Sequence, residues 1–414
     1  MKGILVILDG LGDLPNNQLG GKTPLEAAKT PNMDFLATRG ELGFMYPVKP
    51  GFVPESDEAI VSIFNNNLIS STRGQLEAKG TGLNLTRGDL ALRVNFATID
   101  SLEKGNILDR RAGRNLTTEE AEILCKALNK ISLPVKFEIV PSVQHRAVLV
   151  FRGGFSDNLV GNDLTYVNGK TKGFNKIHSC EVLDEEDNSQ YTVNILNEFL
   201  DKAYDILKDH PVNLERKKKG FLPSNYLLVR GAGIEIPKLK QYKKWASVAY
   251  MPLEIGFSKL SGMNAYEFDY PKLKSFDAYE NLYNALKKAC KFSVKIIKKI
   301  MKTSEYLYIH IKETDLPGHD NKPLEKKEML EYIDKTLFKY IRKVAPPNEI
   351  KVVVTGDHST PCKLKDHSSD PVPVLFYNNK EVPEEKHFNE KECRKGRVGR
   401  ILGKDLLKRV GFSK

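Results

Sequence analysis

Three short apolar runs, two of them some 300 residues beyond the first, each hand over to acidic residues and histidines. Gly3-Ile4-Leu5-Val6-Ile7-Leu8 leads into Asp9, and Tyr306-Leu307-Tyr308-Ile309-His310-Ile311 leads to Asp315 and His319. Ile350-Lys351-Val352-Val353-Val354-Thr355 leads to Asp357 and His358, with His367 nine residues later. Runs this short, continuous and rich in β-branched residues read as strands buried on both faces of a parallel sheet. Their polar successors then gather along its carboxyl edge, where open α/β sheets hold ligands. The expected fold is therefore α/β, a mostly parallel central sheet with helices on both faces. Imidazole and carboxylate in similar numbers suit zinc, manganese or cobalt better than calcium. The i, i+4 spacing of Asp315 and His319 lets one helical turn or a tight loop aim both at a single ion. Asp357 and His358 converge only if the strand turns at once, because adjacent side chains on an extended strand face opposite ways.

With 414 residues, two domains are expected. The first strand is followed by a helix starting at Thr30-Pro31, with proline in its first turn. The other two ligand-bearing strands appear only after residue 300, so an insertion splits the core. Residues 92–99 and 134–151 alternate like strands with one solvated face, around a helix at about 117–130 opened by Thr117-Thr118-Glu119-Glu120. A long helix is expected over 187–209, and Tyr226-Leu227-Leu228-Val229 reads as a further strand. These signals place the core at 1–86 and 225–414 and a smaller α+β insertion at 87–224.

No apolar run approaches the length of a membrane span, and the amino-terminal stretch meets Asp9 too early for a signal peptide, so a cytoplasmic location is expected. Cys125, Cys180, Cys290, Cys362 and Cys393 are odd in number and scattered, which argues against a disulfide framework or zinc knuckle. The net charge of +11 comes largely from lysines interspersed with apolar residues at helical spacing, as in solvated helix faces. Such a charge attracts phosphates. Without interleaved aromatics to stack on bases, nucleic acid is not an expected partner.

Gly51-Phe52-Val53-Pro54-Glu55-Ser56-Asp57-Glu58 reads as a loop turning into a helix at Ser56. Amides at a helix start stabilise a phosphate, so a serine there is placed to carry a phosphoryl group. It is equally an ordinary N-cap residue unless a cation lies beside it to activate it.

Longer segments resemble a known family. They are Leu8-Asp9-Gly10-Leu11-Gly12-Asp13, Gly20-Gly21-Lys22-Thr23-Pro24-Leu25-Glu26-Ala27-Ala28, Pro31-Asn32-Met33-Asp34, Asp109-Arg110-Arg111-Ala112-Gly113-Arg114 and Val229-Arg230-Gly231-Ala232-Gly233. To these add His310-Ile311-Lys312 through Asp315 to Gly318-His319-Asp320, and Thr355-Gly356-Asp357-His358-Ser359-Thr360-Pro361-Cys362 with Lys365-Asp366-His367. Together they resemble the archaeal-type cofactor-independent phosphoglycerate mutases of the alkaline phosphatase superfamily, almost end to end. The resemblance implies an alkaline phosphatase-like core, an inserted substrate-gripping cap, two divalent ions and a phosphoserine at Ser56 in the interconversion of 3- and 2-phosphoglycerate. Manganese is the foremost ion, with cobalt, magnesium or zinc as alternatives. By the same carry-over Asp9, Ser56, Asp357 and His358 would ligate one ion and Asp315, His319 and His367 the other. Arg110, Arg111, Arg114, His145, Arg152 and Asp157 would hold the phosphoglycerate. No membrane partner is implied, and self-association stays open.

The chain departs from the family at some positions. After Ser56-Asp57 it has Glu58-Ala59-Ile60 where many relatives continue Thr-Ala-His, and Asn65-Asn66-Asn67 replaces a Gly-Tyr-Asp. Around Glu254, relatives tend to carry a lysine facing the transferring phosphoryl group. A carboxylate there repels the substrate unless Lys259 or another cation compensates. Two other readings compete: a phosphohydrolase or phosphonate-processing enzyme of the same superfamily, in which water resolves the phosphoserine, and a basic nucleic-acid-binding protein.

Overall fold

Gly3–Leu8 lies in the middle of an eight-stranded sheet, flanked in parallel by Tyr306–Ile311 on one side and Lys351–Thr355 on the other. All six of its residues are buried. The computed structural model describes residues 1–67, 73–163, 166–167, 170–171, 175–275, 277–379 and 383–413. Beyond Tyr306–Ile311 the sheet continues in parallel through Trp245–Val248 to Asn264–Tyr266. On the other side Val372–Tyr377 runs antiparallel to both Lys351–Thr355 and Gly40–Tyr46, and Gly399–Leu402 closes the edge.

Alternation along Gly3–Leu8 divides two cores. Ile4, Val6 and Leu8 pack with the Ala278–Ile300 and Pro323–Ile333 helices, while Leu5 and Ile7 pack with Ser56–Ile63, Pro252–Leu260 and Leu406–Val410. Helices thus cover both faces, as a continuous apolar strand requires. Behind the Ser56 helix, Phe64 meets Tyr242, Trp245, Phe257 and Tyr308 with ring centroids 5.0–5.5 Å apart. That cluster anchors the far end of the helix whose first residue faces the site.

A second, wholly antiparallel sheet orders Tyr226–Gly233, Leu90–Ile99, Arg146–Phe151 and Phe137–Pro141, with Ile107–Asp109 also on Leu90–Ile99. The Thr118–Leu128 and Asp187–Lys208 helices cover one face. Two differences from the sequence reading arise here. Leu90–Ile99 has no solvated face: all ten residues are buried, because Ala91 packs with Ala78 and Leu83 while Arg93 and Asn95 face an internal cavity. Tyr226–Gly233, assigned by sequence to the core half, pairs instead with Leu90–Ile99.

The Arg73–Gly80 helix joins the two sheet systems, packing on Leu90–Ile99 and on Pro252–Leu260. Two glycines permit this approach. A Cβ at Gly80 would stand 1.8 Å from the carbonyl oxygen of Pro252, and one at Gly256 would stand 1.8 Å from that of Leu76. Among the described residues no helix is long and apolar enough to cross a membrane.

Candidate metal and phosphate site

The three strand ends meet as their spacing predicts. Asp9 leaves Gly3–Leu8, Asp315 caps the Leu316–His319 turn that follows Tyr306–Ile311, and Asp357 with His358 follows Lys351–Thr355. The chain turns directly after Thr355, so both side chains point inward. Asp357 Oδ1 accepts from Gly10 N and His358 N, each at 3.1 Å, while His358 Nε2 lies 3.1 Å from Asp9 Oδ1. His319 Nε2 stands 3.2 Å and His367 Nε2 3.7 Å from Asp315, and the His358 and His367 rings stack at 3.6 Å.

Hydrogen bonding at the outer nitrogens shows what the inner ones offer. His367 Nδ1 is 3.0 Å from the Pro54 carbonyl and His319 Nδ1 3.1 Å from that of Lys365, so both Nδ1 atoms carry hydrogen. The Thr360 hydroxyl donates its one hydrogen to Asp315 at 2.7 Å, so it accepts from His358 Nδ1 at 3.0 Å. In their neutral forms all three imidazoles therefore direct an Nε2 lone pair at a carboxylate, an arrangement that suits a cation between them. Asp9 Oδ1 and Asp357 Oδ2 are buried without a hydrogen bond, as ligand oxygens are. Burial, followed by the charge of Asp357, pushes the Asp9 carboxyl up. Burial also opposes ionisation of Asp315 and Asp357, but neighbouring histidines, His319 and His358 foremost, hold each well below the usual carboxylate range. The donor set fits two divalent ions.

The grouping of the donors differs from the one implied by resemblance. Among the described residues, ligand atoms within 4.8 Å of one another group as Asp315, His358 and His367, and as Asp9, His310 and Asp357. His358 thus stands between the two groups, and His310 adds a donor that the sequence reading did not assign. His310 Nδ1 is 2.8 Å from the Tyr308 hydroxyl and its Nε2 is 3.4 Å from Asp357.

Ser56 begins its helix beside this cluster, 7% exposed, with Oγ 3.4 Å from His358 Nε2 and 3.3 Å from Lys312 Nζ. Of the expected compensators, Lys259 or another cation, it is another cation, Lys312, that meets Glu254. Lys259 pairs with Glu267 at 3.0 Å, whereas Lys312 Nζ binds Glu254 at 2.9 Å, pairs with Asp9 and lies 3.9 Å from Asp357. Burial opposes the Lys312 charge, but Asp9, Glu254 and Asp357 outweigh it and raise its pKa. A histidine and a lysine two positions apart at the end of an apolar strand share one side of it. That alternation is the signal that identifies His310 and Lys312.

The site opens into a cavity of about 370 Å³ between the two sheet systems. Arg110, Arg111 and Arg114 line it from a loop in which Ala112, Gly113 and Arg114 all have positive φ (46°, 71° and 58°). Three successive left-handed residues curl the loop so that the guanidiniums share one wall. Arg110 pairs with Asp163 at 2.6 Å, and Arg114 pairs with Asp320. Arg73, Arg93, Arg146 and Arg230, which the sequence reading did not select, line the same cavity. Three other expected contacts fall elsewhere. Arg152 is drawn to Asp89 (2.9 Å) and Glu138 (2.8 Å), away from the cavity, and Asp157 accepts from Ile234 N at 3.3 Å, also outside it. His145 lines an adjoining chamber of about 120 Å³ that shares Arg111, Arg114 and Lys312. Burial, then the charges of Arg146 and Arg111, hold its imidazole well below the usual pKa.

Comparison with known proteins gives consistent results. Residues 37–213 match the family model described as 2,3-bisphosphoglycerate-independent phosphoglycerate mutase. A protein of that name from Thermococcus kodakarensis is 41% identical over 98% of this chain and 95% of its own length. A solved Pyrococcus horikoshii protein aligns at TM-score 0.75 and 33% identity, covering 100% of this chain and 98% of that one. The cofactor-independent phosphoglycerate mutase of Thermoplasma acidophilum aligns at TM-score 0.54 and 29% identity, covering 100% of this chain and 99% of that one.

Proposed function

The chain belongs to the 2,3-bisphosphoglycerate-independent phosphoglycerate mutases, and on that footing we propose that it interconverts 3- and 2-phosphoglycerate through a phosphoryl group carried on Ser56. The observation that carries this reading is the position of one hydroxyl. Ser56 Oγ sits at a helix start, within 3.4 Å of both Lys312 Nζ and His358 Nε2, on the floor of a cavity walled by arginines.

In the forward half, a bond forms between Ser56 Oγ and phosphorus while the bond to the 3-oxygen breaks, and the proton given up by Ser56 Oγ is balanced by the one the 3-oxygen gains as it leaves as a hydroxyl. Glycerate turns, and its 2-oxygen takes the phosphoryl group back from Ser56. Helix amides and the Lys312 ammonium face the charge carried by the phosphoryl oxygens. Arg110, Arg111 and Arg114 grip carboxylate and phosphate from the opposite wall. Asp9, Asp357, His358 and His310, with Asp315, His319 and His367, would hold two divalent ions, which when bound lower the pKa of a coordinated hydroxyl and offset phosphoryl charge. Manganese is the proposed ion, since mixed carboxylate and imidazole donors suit it. Transfer rather than hydrolysis requires that glycerate stay in the cavity between the two sheet systems while water is kept out.

An enolase-coupled assay without 2,3-bisphosphoglycerate tests the reading. Phosphoenolpyruvate should form from 3-phosphoglycerate, and Ser56→Ala should abolish it. Release of inorganic phosphate with no 2-phosphoglycerate would replace this reading with a hydrolase.

A further inference from the structure

Glu55, immediately before the nucleophile, is 8% exposed and lines the cavity. One of its carboxylate oxygens pairs with Arg73 Nη1 and the other with Arg230 Nη1. Two guanidiniums bracketing a planar anion is the arrangement that recognises a carboxylate or a phosphate. Resting on the mutase reading of the site, we propose that Glu55 is an internal stand-in for the substrate's anionic end: phosphoglycerate binds by taking Arg230 from the Glu55 carboxylate.

The two arginines are held differently. Arg73 is fixed from below by Glu77 at 3.0 Å and Asp57 at 3.2 Å, so its charge is met without Glu55. Arg230 reaches in from the second sheet and meets Asp163 at 3.7 Å, and Asp163 in turn holds Arg110. Transfer of Arg230 to an incoming anion therefore links the arginine wall to the loop that bears Ser56. The same loop supplies the Pro54 carbonyl that orients His367.

The test is the binding of inorganic phosphate to the full-length, manganese-supplemented protein by titration calorimetry, alongside KM for 3-phosphoglycerate. Removing a competing charge-assisted partner in Glu55→Gln should tighten phosphate binding about tenfold and lower KM, without raising kcat. In a Arg230→Gln background the same change should produce no tightening. Phosphate affinity that is unchanged or weaker in Glu55→Gln overturns the proposal, as does a gain that survives loss of Arg230. Should Glu55→Gln not fold, Glu55→Asp retracts the carboxylate by one methylene and should tighten binding about threefold; no gain there overturns it equally. Phosphate binding needs no turnover. Failure of the mutase reading would appear separately, as absent 2-phosphoglycerate with the calorimetric result intact.

Discussion

Replacing Lys312 with methionine keeps most of the length of the side chain and removes the one ammonium that, among the described residues, touches Ser56. Its Nζ lies 3.3 Å from Ser56 Oγ and 2.9 Å from Glu254, so the variant takes a positive charge from the phosphoryl position and unmasks a negative one. Two unit charges about 4 Å apart interact by roughly 4 kcal/mol at an effective dielectric of about 20, or about a thousandfold in rate. Water entering the space screens part of this, so a fall in kcat/KM of about 10²–10³ is expected. Glu254→Gln in the Lys312→Met background removes the repulsion that remains and should restore about tenfold. The enolase-coupled assay at saturating manganese measures both, with circular dichroism to show that each variant folds. A Lys312→Met enzyme within threefold of the parent would refute the electrostatic argument. So would a double variant no faster than the single one.

Two further outcomes test other parts of the structure. His367→Ala should lower the ion content of the purified protein from two to one, measured by plasma mass spectrometry, with the circular dichroism spectrum preserved; chelation should silence the parent, and manganese, cobalt or magnesium should restore it. Burial pushes the Glu390 carboxyl up to about 8, although Thr23 Oγ1 donates to it at 2.6 Å. Because the folded pKa exceeds the unfolded one, stability is full below about 4.5 and declines as pH rises towards 8. Glu390→Gln should therefore raise the melting temperature at pH 9 by at least a few degrees and leave it unchanged near pH 4.5. Equal gains at both values would count against a buried acid.

Much of the site was legible in the chain because one physical rule generates it. A strand buried on both faces must be continuously apolar, so the acids and histidines in the turn that follows it gather at the sheet's carboxyl edge. Asp9, Asp315, Asp357 and His358 follow from that rule, and Ser56 from the loop that turns into its helix. His310 and Lys312 carry only their alternation as a local signal; that Glu254, 56 and 58 residues earlier, faces them is set by packing. Arg152 was misplaced for the converse reason: an arginine on a strand reads as an anion clamp until Asp89 and Glu138 are seen beside it.

Sequence by itself determined the α/β class and the kind of ligand chemistry offered at the strand ends, since periodicity and residue type act over a few positions. Tertiary structure alone decided which charges share the cavity. Salt-bridge partners such as Glu55 with Arg230 and Lys312 with Glu254 come from different elements, and their meeting depends on where helices and sheets pack. The same holds for the pairing of Tyr226–Gly233, whose pattern suits either sheet and whose place is settled by hydrogen bonds to Leu90–Ile99. Local composition carries the kind of chemistry, and long-range packing carries its arrangement, because charge interactions follow distance in space and not separation along the chain.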